Sequence, residues 1–459
     1  MRILQISTAD RGGGAENVGW NLFQAYQERG HRSWLAVGRK RTSNPDVYQL
    51  QHNPQPLSFG AACGSTASFF ERLEGRIRGA SRARVLLRQL QRGWRTPLDQ
   101  RLGHEDYNFP GTRSVLSITG EDPDIVHAHN LHGNYFDLRM LPKIASERPL
   151  ILTVHDGWLL SGHCAHSFQC DRWMTGCGQC PDLEIYPSIR RDATAWNWRR
   201  KRRIFARTKL YVASPSKWLM NRVEQSILAP AVLEARVIPN GVDLAVFRPA
   251  TDRLAVRRKL GIDLDARVLV FAANGIRHNR FKDYDTLRSA IKALATDWNR
   301  CPLFLYALGD DGPAQQIGSL RIEPVPFLSN QRDLVEYLQA ADVYVHPARV
   351  ETFPSAVLEA MACGAPVIAS AVGGILEQID AETGMLVPMA DVRALANAIR
   401  SLLDNDELRE RLGAAGRNIA QQRYDLNLQV DRYLSWYDQI VSESRAPKAK
   451  SAGGPSFIS

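Results

Sequence analysis

Two glutamates eight residues apart, Glu351 and Glu359, lie on either side of a predicted helix start. Pro354 suits the first helical position, because its missing N–H would have no partner there, and the following Ser355 and Ala356 then direct N–H groups out of the helix. A helix start of this kind favours an anion. The spacing therefore predicts a phosphate site flanked by two carboxylates that can accept hydrogen bonds from sugar hydroxyls, as in a nucleotide-sugar site.

The segment from Glu351 to Ser370 resembles the Glu-x7-Glu signature of retaining GT-B glycosyltransferases of family 4. Where that family usually has Gly-Phe-Gly after the first glutamate, this chain has Thr352-Phe353-Pro354. The segments 238–243 and 341–347 extend the similarity over most of the chain. The alternative for the motif alone is an ordinary surface helix with two glutamates.

The resemblance implies a nucleotide-diphosphate sugar as donor, retention of configuration at the transferred sugar, and no reliance on a catalytic metal. It implies that Glu351 binds the transferred sugar and stabilises positive charge, and that Glu359 holds the ribose hydroxyls. Phe353, Pro354 and Ser355 are then expected to contact the donor as well.

Three cations, Arg277, Arg280 and Lys282, follow the first predicted strand of the second half. Arg277 and Lys282 resemble the pair that the family directs at the donor diphosphate; Ile276 interrupts the usual Gly-Arg pairing, so Arg280 is a rival for the arginine. A leaving diphosphate gains negative charge, so fixed cations stabilise the transition state more than the ground state. Solvated surface charge is the alternative. Further along the chain, Phe327 is a candidate for contact with the nucleotide base.

A glycine run, Gly12-Gly13-Gly14, follows the first predicted strand. It fails as a dinucleotide fingerprint, because Asn17 stands at the third glycine position and Arg32 is found where an acid is required, so NAD is not expected. Glycines still allow the backbone to approach a phosphate or sugar closely. The resemblance implies that Gly13 and Gly14 lie beside the donor, whereas a tight turn is the alternative.

His155 closes the apolar run 150–154, which predicts a position at the carboxyl end of a parallel strand, where ligands bind. The corresponding histidine of the family touches the donor sugar near the reacting carbon, so a catalytic role is expected, with Asp156 orienting the ring. A histidine satisfied within the core is the alternative. Asn130, His132 and Asp156 are the candidates for contact with the acceptor.

Four cysteines lie close together in the sequence: Cys164, Cys170, Cys177 and Cys180. In a reducing compartment, thiolates at short spacings favour a closed tetrahedral zinc set, so a structural zinc site is expected. Free thiols in a folded insertion are the alternative, since the first spacing is longer than usual.

The net charge of +10 comes from 58 basic and 48 acidic residues, and the excess is local. Nine arginines lie between Arg72 and Arg101, and a second cluster spans 199–203. Apolar residues at helical spacing in the first cluster predict either docking on an anionic membrane surface or a solvated helix pair. Nucleic-acid binding is not expected, because no recognised module accompanies the charge. With no signal peptide or membrane span apparent, we expect a cytoplasmic protein, soluble or peripheral at the inner face of the membrane.

The length of 459 residues and a hydrophobic content of 44% allow two domains, each with its own core. Strands alternate with helices in both halves, which predicts an α/β fold of two Rossmann-like, doubly wound parallel sheets facing a cleft, the GT-B arrangement of the resembled family. The predicted units are an acceptor-side domain 1–239 with a cysteine-rich loop 161–182, a linker 240–252, a nucleotide-sugar domain 253–425, a helix 426–444 that returns to the first domain, and a disordered tail 445–459.

These patterns together predict a retaining glycosyltransferase that transfers a sugar from a nucleotide-diphosphate sugar to a hydroxyl, in a lipid-linked or polysaccharide precursor. The alternatives are a nucleotide-sugar epimerase, a sugar phosphorylase, or a non-catalytic sugar-binding protein. A phosphorylase would need a pyridoxal lysine that the sequence does not reveal. A non-catalytic protein would be expected to lack one of Glu351, Arg277, Lys282 or His155, and all four are present.

Overall fold

The computed structural model describes residues 1–50, 95–328, 330–445 and 456–458, with side chains for all of these except 95–98, 278 and 456–458. Most of the arginine-rich segment from Arg72 to Arg101 therefore lies outside the described residues. Its last part belongs to a helix, Arg95–Leu102. No helix within the described ranges has the length and apolar character needed to cross a membrane.

The first half of the chain forms a parallel sheet flanked by helices. Its strands are β1 (Arg2–Ala9), β2 (Arg32–Arg39), β3 (Val47–Gln49), β4 (Ile125–Ala128), β5 (Leu150–Thr153), β6 (Leu210–Ser214) and β7 (Val232–Val237). Its helices are α1 (Gly14–Glu28), α2 (Arg95–Leu102), α3 (Leu141–Glu147), α4 (Thr194–Phe205) and α5 (Lys217–Glu224). The strand order is β7-β6-β5-β4-β1-β2-β3. Every residue of β4 and β5 is buried, as expected for strands covered on both faces.

The second half repeats this design. Its strands are β8 (Arg267–Ala272), β9 (Leu303–Leu308), β10 (Gln315–Ile317), β11 (Leu320–Val325), β12 (Val343–His346), β13 (Val367–Ser370) and β14 (Met385–Val387). Its helices are α6 (Arg253–Lys259), α7 (Tyr284–Asp297), α8 (Gln331–Ala340), α9 (Ser355–Ala362), α10 (Val392–Asp404) and α11 (Asp406–Arg423). The order β10-β11-β9-β8-β12-β13-β14 is parallel except for the hairpin of β10 and β11. The predicted α/β fold of two doubly wound sheets is confirmed.

The last long helix, α12 (Leu426–Arg445), packs on the first domain rather than on the second. Its buried face contributes Tyr433, Trp436 and Tyr437 to a cluster that includes residues of β1 and α1, and the hydroxyls of Tyr437 and Tyr26 lie 3.0 Å apart. Beyond it, Ser456–Ile458 form a further strand, β15, parallel to the edge strand β7. The segment 445–459 was expected to be disordered, and these three residues are instead ordered as a strand; residues 446–455 and 459 lie outside the described residues.

A buried carboxylate links the amino-terminal ends of the central strands β8 and β12 of the second sheet. Asp342, 2% exposed, accepts hydrogen bonds from Arg253 (2.8 Å), from Arg257 (2.7 Å) and from the backbone N–H of Val268 (2.7 Å). The two arginines hold the pKa of this carboxyl below its usual range, although burial opposes them. Arg257 is itself only 4% exposed, so the carboxylate of Asp342 is the counter-charge of a buried guanidinium.

Replacing Asp342 by alanine is therefore expected to lower the free energy of unfolding by about 3–5 kcal/mol, because the buried Arg257 guanidinium is left without a counter-charge. Urea unfolding of the variant measures this loss. Asp263→Ala, at an exposed turn position, is the control and is expected to stay within about 0.5 kcal/mol of the parent. Equal midpoints for the two variants would contradict the structural role of Asp342.

Candidate active site

The two glutamates of the sequence motif lie at the start of α9. This helix begins at Ser355, and Pro354 precedes it in an extended conformation (φ −65°, ψ 121°) rather than occupying its first turn, so the predicted helix start is displaced by one residue. No side chain of the described residues caps the helix start, which leaves its first N–H groups available to an anion. Phe353 is buried against Tyr424, with ring centroids 5.7 Å apart, so its side chain packs in the core of this loop rather than facing a ligand.

The first glutamate belongs to a cluster of three polar side chains. The ammonium group of Lys282 forms an ion pair with the carboxylate of Glu351, and His346 Nε2 lies 3.0 Å from Glu351 Oε1 and 3.4 Å from Lys282 Nζ. Tyr344 OH, 3.2 Å from His346 Nδ1, holds the other side of the imidazole. Strand β12 supplies His346, and a bridge between the backbones of Lys282 and Ala348 brings the lysine loop beside it. Burial lowers the pKa of Lys282.

Glu359 differs from Glu351 because its carboxylate has no hydrogen-bond or ion-pair partner among the described residues. Burial raises its pKa to about 7. A half-buried carboxyl group without a partner is destabilised when it is ionised, and a ligand that donates hydrogen bonds to it would relieve that cost.

The three predicted diphosphate cations, Arg277, Arg280 and Lys282, line one interdomain cleft of about 870 Å³ together with Arg349. Both predicted arginines are paired with carboxylates. Arg277 donates to Asp310 at 2.5 and 3.0 Å, within the second domain. Arg280 donates to Asp182 at 2.6 and 3.4 Å, a contact that crosses to the first domain. Lys282 is thus the cation that lies closest to the motif glutamate.

The glycine run and His155 belong to the first domain and contact loops of the second, but they do not line the 870 Å³ cleft. Gly13 is the N-cap residue of α1, and the side-chain amide of Asn274, in the second domain, lies 3.5 Å from the Gly12 carbonyl oxygen. His155 follows β5, and its backbone carbonyl accepts a hydrogen bond of 2.8 Å from the hydroxyl of Thr352. The motif loop and the predicted catalytic histidine are therefore in direct contact.

Asp156 does not orient the ring of His155, contrary to the sequence-based expectation. Its carboxylate instead accepts from His132 Nε2 at 2.7 Å and from the backbone N–H of Trp158 at 2.9 Å. The pair with His132 lowers the pKa of Asp156 to about 2 and raises that of His132. The partner of the His155 ring is His129, whose Nδ1 lies 3.0 Å from His155 Nε2.

The acceptor candidates lie around the His132–Asp156 pair. A cavity of about 220 Å³ beside them is lined by His132, Asn134 and Trp158 among others. Asn130 contributes its backbone carbonyl, which accepts from Tyr135 OH at 2.6 Å. Phe327, the candidate for the nucleotide base, is 51% exposed just beyond β11 and does not line the 870 Å³ cleft.

The four cysteines of the loop 161–182 are free thiols and do not form the predicted zinc set. Among the described residues, no group of three or more His, Cys, Asp or Glu side chains could hold a metal ion. Cys180 Sγ lies 3.3 Å from His163 Nε2, the one histidine contact that these thiols make among the described residues. The expectation of a structural zinc site was therefore wrong for the structure described.

The cysteine-rich loop instead contacts the cation loop of the second domain. His166 and Phe168 pack against Phe281, with ring centroids 4.8 and 5.9 Å apart, next to the ion pair of Asp182 with Arg280. The loop thereby joins the two sides of the cleft.

Gly373 and Gly374 support the Glu351 loop from behind. They were not among the candidates from the sequence. The N–H of Gly374 donates to the Glu351 carbonyl at 3.1 Å. Gly373 has φ +52°, and a Cβ there would collide with the same carbonyl oxygen. Nearby, the Glu377 carboxylate accepts from the N–H groups of Lys217 and Trp218, both at 2.8 Å, and so caps α5 across the domain interface. A glycine pair shortly after the buried strand β13 was the available signal.

Two doubly wound domains, the second carrying the motif carboxylates and cations and the first a strand-end histidine in contact with the motif loop, define a GT-B protein. The structure of HepE from Anabaena in complex with UDP and glucose matches with a TM-score of 0.63 and 16% identity, covering 95% of this chain and 99% of HepE. Sucrose-phosphate synthase from Thermosynechococcus elongatus also gives 0.63, at 19% identity, covering 96% and 99%. At these identities the likeness establishes the fold.

The chain belongs to Glycosyltransferase Family 4, whose family model matches residues 12–246, just over half of the chain. The model for Glycosyl transferases group 1 matches residues 252–419. The predicted family and GT-B fold are confirmed.

Two curated relatives are similar to part of this chain. The D-inositol 3-phosphate glycosyltransferase of Kineococcus radiotolerans is 36% identical over 235 residues, covering 46% of this chain and 53% of the relative. The putative colanic acid biosynthesis glycosyl transferase WcaC of Escherichia coli is 27% identical over 294 residues, covering 62% and 68%. The chain spans about half the length of the inositol-phosphate relative that it matches.

Proposed function

We propose that this protein is a retaining hexosyltransferase that moves a sugar from a nucleoside diphosphate to a hydroxyl of a saccharide or lipid-linked acceptor. The observation that supports this most is the cluster of Glu351, Lys282 and His346 beside the uncapped start of α9. This arrangement offers a cation and free N–H groups to a diphosphate and a carboxylate to the attached sugar.

The reaction follows from the charges of the site. The bond between the anomeric carbon and the diphosphate oxygen breaks, and its electron pair leaves with the diphosphate, which Lys282 and the start of α9 stabilise. Positive charge then develops on the sugar, and Glu351 stabilises it. The acceptor hydroxyl attacks on the face that the diphosphate has left, and its proton passes to a diphosphate oxygen, so configuration is retained.

Two similar proteins support the proposed classes of donor and acceptor. The HepE structure contains UDP and glucose, which favours a nucleoside diphosphate sugar as donor. WcaC is named for colanic acid biosynthesis, which favours a step in polysaccharide assembly. The arginine-rich segment from Arg72 to Arg101 supports attachment to an anionic membrane surface that presents a lipid-linked acceptor. Sedimentation with anionic vesicles at low salt tests this, and failure to sediment would remove the membrane from the proposal.

Screening nucleotides and their sugars tests the proposed function. UDP, GDP or ADP at a hundred times its dissociation constant is expected to stabilise the protein by about 2.7 kcal/mol. The corresponding nucleotide sugar is expected to release its nucleoside diphosphate slowly in water, and the freed sugar should retain its anomeric configuration by NMR. Inversion would contradict the retaining mechanism. Stabilisation without release by any sugar nucleotide, with saccharide acceptors present, would favour the non-catalytic alternative.

The pKa of Glu359 gives a test of its proposed contact with the ribose. Hydroxyl groups donate to the ionised carboxylate, and burial raises its pKa to about 7. The group is ionised above that pH and protonated below it, so loss of the carboxylate from pH 8 to pH 6 is expected to lower nucleotide affinity about tenfold relative to a variant that cannot titrate at this position. Calorimetry across this range measures the slope.

Glu359→Gln is the matched comparison, because it has the same shape and cannot titrate. Its nucleotide affinity is expected to be weaker than that of the parent at pH 8, and its pH dependence is expected to keep the contributions of the nucleotide and of Lys282, whose pKa burial lowers to about 7, and to lack that of the carboxylate. Parallel slopes for parent and variant would remove Glu359 from the ribose site.

A further inference from the structure

Three polar side chains form a buried row across adjacent strands of the first sheet. Gln5 lies in β1, His129 directly follows β4, and His155 follows β5, and these strands are neighbours in the order β5-β4-β1. Gln5 and His129 are fully buried, and His155 is 8% exposed. The Gln5 amide lies 3.0 Å from His129 Nε2, and His129 Nδ1 lies 3.0 Å from His155 Nε2. The row therefore ends at the histidine whose backbone carbonyl contacts Thr352 of the motif loop.

Helix α1 fixes the orientation of the Gln5 amide. One end of the amide lies 3.3 Å from the carbonyl oxygen of Gly19, and the other lies 3.0 Å from the backbone N–H of Phe23. Only the orientation with NH2 towards Gly19 and oxygen towards Phe23 pairs donors with acceptors, since the opposite orientation sets oxygen against oxygen. In the favoured orientation, the Gln5 NH2 also donates to His129 Nε2.

The direction of this first hydrogen bond sets the others. His129 Nε2 accepts from Gln5, so the proton of its neutral ring is on Nδ1, and that N–H donates to His155 Nε2. His155 must then have its own proton on Nδ1, which has no hydrogen-bond partner among the described residues. Both rings are neutral, because burial lowers the pKa of His155 to about 4 and that of His129 well below its usual value.

We propose that Gln5 and His129 are positioning residues that hold His155 as the neutral tautomer with its proton on Nδ1, so that it presents one hydrogen-bond donor to an oxygen of the bound sugar. The contact with sugar rests on the proposed function, whereas the tautomer does not. A neutral donor suits this place, because an imidazolium would repel the positive charge that develops on the sugar.

The sequence of α1 is adapted to this row. A Cβ at Gly19 would lie 3.3 Å from His129 Cδ2 and 3.4 Å from its Nε2, which is tighter than an ordinary contact. The glycine therefore lets the helix backbone approach the ring and the Gln5 amide together.

Nitrogen-15 NMR of histidine-labelled free protein at pH 7.5 tests the tautomer directly. His155 and His129, assigned by the loss of signals in H155Q and H129Q, are each expected to show a protonated Nδ1 and an unprotonated Nε2. A protonated Nε2 on His155 would overturn the proposal. This measurement needs no nucleotide and no transfer, so failure of the proposed transferase activity would leave its outcome readable.

Gln5→Met then tests the positioning role, because a thioether cannot donate a hydrogen bond to His129 Nε2 and no longer fixes the direction of the row. His155 is expected to show a protonated Nε2 in part of the molecules, and kcat is expected to fall about threefold or more with nucleotide affinity unchanged. Gln24→Met, on the exposed face of α1, is the matched control and should change neither. A His155 protonated on Nδ1 alone in Gln5→Met, or a changed tautomer with unchanged kcat, would overturn the role proposed for Gln5.

Discussion

Replacing Glu351 by glutamine is expected to lower kcat by about a hundredfold or more while leaving nucleotide affinity nearly unchanged. The substitution keeps the shape of the side chain and removes the negative charge that faces the developing positive charge of the sugar. It also removes the ion pair with Lys282, which the structure places directly against this carboxylate. Steady-state kinetics with the nucleotide sugar, and calorimetry with the nucleoside diphosphate, separate the two effects.

A surface glutamate provides the comparison for this experiment. Glu382, exposed in the turn before β14, is expected to tolerate the same change to glutamine with no loss of rate. If E351Q retained kcat within a few-fold of the parent, Glu351 would have to be removed from the catalytic groups. A large loss of nucleotide affinity would instead place it at the nucleotide rather than at the sugar.

Replacing Lys282 by alanine is expected to slow the chemical step by about a hundredfold or more, since the leaving diphosphate loses its closest cation. Arg277 and Arg280 are poor substitutes, because each is already paired with a carboxylate. Single-turnover measurements isolate this step from product release. Nucleoside diphosphate affinity should fall as well, because the negatively charged diphosphate then meets one cation fewer.

Lys292, exposed on α7, is the matched control, and Lys292→Ala is expected to behave as the parent. A single-turnover rate for K282A equal to that of the parent would mean that the diphosphate leaves elsewhere in the cleft. If Lys282→Arg kept a rate close to that of the parent, the step would require a positive charge at this position rather than the lysine side chain itself.

Short motifs brought the second-domain candidates of this site together. Glu351 and Glu359 are held by one helix start, and Lys282 follows a strand that neighbours β12, so local patterns sufficed to bring them together. The partners of the arginines were not predictable in this way. Asp310 and Asp182 lie 33 and 98 residues from Arg277 and Arg280, and only the packing of loops decides such pairs.

The first-domain half shows the same limit. His155 was expected at a strand end, but its neighbour along the chain, Asp156, was given the role that His129 has. Residues adjacent in a strand or at its end point in different directions, whereas residues at the ends of adjacent parallel strands lie side by side. The cysteine prediction failed for a related reason, since close spacing in sequence does not make thiol groups converge on one point.

The return of α12 to the first domain makes the second domain an insertion in the topological sense. The chain enters it at Val242 and leaves it at Asp425, and these two residues form a β-bridge, with the N–H of Leu426 donating to the Val242 carbonyl at 3.0 Å. Entry and exit are thus side by side. A chimaera that exchanges donor specificity between relatives should therefore transplant 243–424 as one cassette, whereas a crossover that keeps only 1–239 would separate Tyr433, Trp436 and Tyr437 from the core in which they are buried.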